Sequence, residues 1–136
     1  MRTKRELTIL GALALASTWV FAIGVRPASA GADVNKEVST AAQHAGFAAS
    51  SKDMKATQMH LHHVVNCLVG PQGEGFDASF GSPCNGQGSG AISDITDSAK
   101  KASLQQALQQ TLDGPKQSDM AAAQKNAAAV QVLLKQ

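Results

Sequence analysis

The sequence predicts an all-α protein, an up-down four-helix bundle with a long glycine-rich, disulfide-stapled loop between its second and third helices. Three observations carry that prediction. Apolar residues recur at three- and four-residue steps in four separate stretches, no stretch alternates with period two, and glycine and proline gather in residues 70–93.

The chain opens with a stretch that stands apart from those helices. Arg2, Lys4 and Arg5 give a basic start, Leu7 to Val25 carries no charge, and Pro27 is followed by the small residues Ala28, Ser29 and Ala30. That order of regions makes residues 1–30 an expected signal peptide, cut by signal peptidase near Ala30. A retained anchor is the alternative, because an uncharged run of this length approaches the ~20 residues that span a bilayer. Gly11, Ser17, Thr18 and Gly24 dilute the run and favour cleavage. The expected product, residues 31–136, is a single helical domain in the periplasm or the medium.

The first helix of that domain is expected over about 33–49, with Val34, Val38, Ala41, Ala42, Ala45, Ala48 and Ala49 on one face. Residues 50–53 read as a tight connection in which Ser51 or Asp53 caps the second helix, about 53–68. Its stripe is Met54, Leu61, Val64, Val65 and Leu68, and Gly70-Pro71 ends it. So short a link makes the two helices antiparallel neighbours. Residues 70–93 hold seven glycines and two prolines, a loop composition. The third helix, about 95–112, starts near Asp94 or Asp97 and stops at Gly114-Pro115. Its stripe is Ile95, Ala99, Ala102, Leu104, Ala107, Leu108, Thr111 and Leu112. Ser118 and Asp119 open the fourth, about 118–135, with Met120, Ala123, Ala127, Val130, Leu133 and Leu134 inward. Alanine is the best helix former but buries little area, so these helices approach closely around a modest core.

Removing residues 1–30 takes four of the twelve basic residues and one of the ten acidic ones, leaving eight Lys against nine carboxylates, a net charge near −1. The remainder has no Arg, Tyr or Trp. Clustered guanidinium groups and stacking platforms are both missing, so no nucleic-acid partner is expected.

Cys67 and Cys84 both fall in the expected mature part. In an exported chain an even pair reads as one disulfide, stapling the loop to the second helix. Two thiolate metal ligands are the alternative, which an oxidising compartment disfavours.

All four histidines lie in the first helical hairpin: His44, then His60, His62 and His63. At 100° per residue, His60 and His63 share a face that Cys67 continues, while His62 points to the far side. Folding the hairpin at Ser51 brings His44 within one turn of His60, with Met59 and Met54 nearby. Imidazole is the commonest ligand for transition metals and haem iron, and helical bundles build such sites between facing helices. His44, His60 and His63 are therefore the expected metal ligands, with His62, Met59 and Met54 as further candidates. Three imidazoles suit Zn or Cu(II); one or two with a Met suit Cu(I) or haem b. Covalent haem c is excluded, since no C-x-x-C-H occurs. The plainer alternative is a solvated histidine surface with no ligand.

The Gly86-Gln87-Gly88-Ser89-Gly90 stretch lacks the Lys and flanking strand of a phosphate loop and reads as flexible chain. Glu74 and Asp77 read as solvated loop carboxylates. No Ser pairs with His and an acid in a recognisable order, so no catalytic residues are assigned. Two functions follow. The first is binding of a transition metal or haem by the histidine cluster. The second is a cofactor-free envelope interaction or stress protein, whose stapled loop presents Phe76 and Phe80 to a protein partner.

Overall fold

A computed structural model describes residues 31–136 of the protein, and the segment expected to direct export lies outside them. The described chain is all-helical and contains no strand. Helix α1 spans Val34–Ser50, α2 Met54–Val69, α3 Ala91–Asp94, α4 Ser98–Asp113 and α5 Met120–Leu134, with 3-10 turns at Ala78–Phe80 and Gly114–Lys116.

The four long helices each begin on an aspartate. Asp33, Asp53, Asp97 and Asp119 accept hydrogen bonds from the backbone N–H of Lys36, Ala56, Lys100 and Ala122, at 2.7–3.0 Å. Each carboxylate satisfies an orphan donor of the first turn and sits at the positive end of the helix dipole. Helix α1 packs on both α2 and α5. The Gln124 side chain donates to the Ser51 carbonyl and the Gln131 side chain to the Ala42 carbonyl, so α5 runs antiparallel to α1. The Asn126 side chain donates to the Gln110 carbonyl and ties α5 to α4.

The core is narrow, as the alanine content predicts. Ala41, Ala45 and Ala48 of α1 are fully buried against the α2 stripe of Leu61, Val64, Val65 and Leu68, with Ala123, Ala127 and Val130 of α5 completing the inside. Small residues on α1 let the helix axes come close, which brings side chains at the seam's edge into contact.

Two details differ from the sequence expectation. Ala91–Asp94, mostly within the stretch expected as loop, forms a short helix of its own, while α4 starts at Ser98 behind the Asp97 cap, one of the two expected starts. Ala99 and Ala102, expected inside, are exposed, and of the expected stripe Leu104, Ala107 and Thr111 are the buried members. The helix stops before Gly114-Pro115, as expected, but without a left-handed glycine. Gly114 keeps helical dihedrals and enters the second 3-10 turn, and a Cβ there would stand 2.6 Å from Leu61 Cδ1. Its value is the close approach of α2.

The glycine-rich segment is also pinned rather than loose. Gly70 and Gly90 both have positive φ and meet at its base, where a Cβ on Gly90 would lie 2.6 Å from the Gly70 nitrogen. Only two residues without side chains close the excursion so tightly. The backbone N–H of Asp33 donates to the Gln87 carbonyl, and the N–H of Gly90 donates to the carboxylate of Glu37, a buried residue outside the predicted stripe. The Asp77 carboxylate accepts from the N–H and hydroxyl of Ser79, which holds its pKa below the usual range. Among the described residues no helix is long and apolar enough to cross a membrane.

Candidate metal centre

His44 follows Ala41 by three residues and precedes Ala48 by four, so its ring leaves α1 at the edge of the buried stripe. His60 and His63 leave α2 beside Leu61 and Val64, on the edge that faces it. All three rings are half-buried, and one ring nitrogen from each lies within 4.8 Å of the others. The Nδ1 atom of His44 stands 3.1 Å from Nδ1 of His60 and 3.2 Å from Nδ1 of His63. An ion with bonds of about 2.05 Å spaces tetrahedral donors about 3.3 Å apart and right-angle donors about 2.9 Å apart. The two separations from His44 fall between these, and with His60 and His63 inside the same 4.8 Å group the triad could hold one metal ion.

The proton inventory points the same way. Nε2 of His63 lies 2.8 Å from the Phe80 carbonyl oxygen. A carbonyl only accepts, so this nitrogen carries the proton, and in the neutral ring Nδ1 is a bare lone pair. The single in-plane position of His44 Nδ1 cannot both accept from His60 and donate to His63. Neutral rings therefore leave one inward lone pair without a full hydrogen bond of its own. A cation between them would satisfy all three.

Burial, followed by the charges of His63 and His60, lowers the pKa of His44 to about 4. Burial, followed by the charge of His63, lowers that of His60 as well. Both rings are thus held in the neutral, metal-binding form at neutral pH. Phe47, itself 45% exposed, covers the cluster, its ring centre 5.5 Å from that of His44 and 5.4 Å from that of His60.

His62 turns away, as the helical wheel predicts, and lies flat on Phe80 with centroids 3.8 Å apart and planes 4° from parallel. Burial also lowers its pKa, against the raising influence of Asp77. Met59 is exposed on the surface, and Met54 lies about 9 Å along the α2 axis from His60. Phe76 and Phe80 are half-buried, and Phe80 stacks on His62.

Cys67 and Cys84 form the expected disulfide, with Cα atoms 5.2 Å apart and both residues buried. Such a bond belongs with an oxidising, exported environment. Two contributors escaped the sequence reading. Phe47 carried a signal, standing three residues after His44 on the same face. Asn66 is a fully buried amide inside the apolar run Val64–Leu68, and its side chain donates to the carbonyls of Asp77 and Gly81 and accepts from the Asp77 N–H.

Comparison with protein-family models, curated proteins and solved structures returns no match to this chain.

Proposed function

We propose that this is an exported metal-binding protein, which takes up a transition-metal ion through Nδ1 of His44, His60 and His63. The observation that carries the reading is the meeting of imidazole nitrogens from two helices, with Nδ1 of His44 at 3.1 and 3.2 Å from Nδ1 of His60 and of His63 and all three residues in one group that could hold an ion. Three neutral imidazoles with a free fourth position suit Zn(II) or Cu(II). Cu(I) would draw on soft sulfur donors, and the described chain has no free thiol, Met59 is exposed on the surface and Met54 lies about 9 Å along α2 from His60. Haem b fits less well. Axial imidazoles on one iron stand about 4 Å apart across the macrocycle, taking bonds of about 2.0 Å as for zinc, and nitrogens 3.1 Å apart leave no room for a porphyrin between them.

The metal-free protein, titrated with Zn(II) and with Cu(II) by calorimetry, is expected to bind one equivalent of ion. His60→Ala combined with His63→Ala is expected to abolish uptake while the helical circular dichroism persists. Wild-type protein that takes up neither ion would overturn the reading.

A further inference from the structure

We propose that the Cys67–Cys84 disulfide and Asn66 act as positioning groups for the metal centre: they hold the Phe80 carbonyl on His63, so reduction of the disulfide weakens metal binding. The inference rests on the metal-binding reading above and adds its regulation.

His63, Asn66 and Cys67 lie within two turns of α2, and each grips the same returning segment. His63 Nε2 meets the Phe80 carbonyl at 2.8 Å. Asn66 holds Asp77 through both N–H and C=O, at 2.9 and 2.8 Å, and the Gly81 carbonyl at 2.5 Å. Cys67 is bonded to Cys84. Phe80 therefore sits between two residues clamped by Asn66 and four residues before a covalent tie. Its carbonyl is aimed by that bracket, and it in turn decides which nitrogen of His63 carries the proton. Partners of this kind, which donate nothing to the metal but orient its ligand, typically change affinity by about 10–100-fold.

The sulfurs link this bracket to redox state. Both cysteines line a cavity of about 260 Å³ between the loop and α2, whose wall also includes Asn66, Phe76 and Gly81. A dithiol donor attacks Cys84 Sγ as the thiolate, breaking the S–S bond, and the departing Cys67 sulfur takes a proton. The donor's second thiol then displaces Cys84, which is protonated in turn. Two electrons and two protons pass to the protein, and the donor leaves as its own disulfide. The excursion of 17 residues is then held by hydrogen bonds alone, and His63 loses the partner that presents its Nδ1.

The test compares Zn(II) affinity, by competition with a chromophoric chelator, for oxidised wild type, Cys67→Ala/Cys84→Ala and Asn66→Ala. Side-chain ¹⁵N spectra of the metal-free proteins report the His63 tautomer. Both variants are expected to bind zinc 10–100-fold more weakly and to lose the single Nε2–H tautomer. Affinities within twofold of wild type overturn the proposal. If the cysteine variant loses its helices, the Asn66→Ala protein, with its disulfide intact, decides by the same two readouts. An unchanged tautomer with weakened binding also overturns it, because the effect would not run through His63. Absence of zinc uptake by oxidised wild type overturns the metal-binding reading itself. In that case the tautomer, read without metal, still shows whether the bracket acts on His63.

Discussion

The Nδ1 atoms of His44 and His60 face each other across the α1–α2 seam at 3.1 Å, with Ala41, Ala45 and Ala48 buried beneath them. Each ring could have turned its other nitrogen inward. The close backbone approach that alanine permits, and the anchoring of His63 at its far nitrogen, leave the near nitrogens crowded together. That crowding makes the three imidazoles a cluster that could hold an ion.

Single substitutions should therefore rank by position. His44→Ala or His63→Ala removes one of the three proposed ligands and is expected to weaken zinc binding by about 100-fold or more, beyond the 10–100-fold of an orienting partner. His62→Ala, which removes only the stacking on Phe80, should leave affinity within a few-fold. Competition titration of the three variants checks the order.

Acid should destabilise the metal-free protein through His44. Its pKa falls from 6.5 in the unfolded chain to about 4 in the folded one, so between those values the unfolded state binds the extra proton. Stability is then full above about pH 6.5, declines as pH falls toward about 4, and declines no further through this residue below that. Urea midpoints at pH 7.5, 6 and 5 should fall in that order, and His44→Ala should flatten the trend.

Glu37 has the opposite sign. It is 1% exposed, and one carboxylate oxygen has no hydrogen-bond partner. Burial, with added repulsion from Asp94 and Asp33 outweighing the Gly90 hydrogen bond, raises its pKa. The folded state thus holds a proton that the unfolded state gives up, and stability falls as pH rises from about the ordinary 4.5. Glu37→Gln supplies a donor toward Asp94 and is expected to stabilise by about 1 kcal/mol at pH 7. The gain should shrink on acidification, as measured by urea unfolding.

Gly90→Ala tests the pinned loop. The residue needs φ of 118° and has backbone within 2.6 Å of where a Cβ would sit, so a cost of about 1–3 kcal/mol or more is expected. Hydrogen exchange should localise the damage to residues 70–94, sparing the α1–α5 contact.

Much of this protein was legible in the sequence because it depends on local chemistry. Helical periodicity, the aspartate caps and the placement of His60 and His63 on one face, with His62 opposite, follow from 3.6 residues per turn and the needs of unpaired N–H groups. The disulfide followed from two cysteines and their expected compartment. Tertiary structure decided what local pattern cannot carry: the burial of Glu37 and Asn66, the backbone contact of Gly70 with Gly90, and the choice of nitrogen on each imidazole. The last depends on the Phe80 carbonyl, 17 positions beyond His63. A proton's location on a ring is set by whichever acceptor arrives from elsewhere in the chain, and helical spacing holds no information about that arrival.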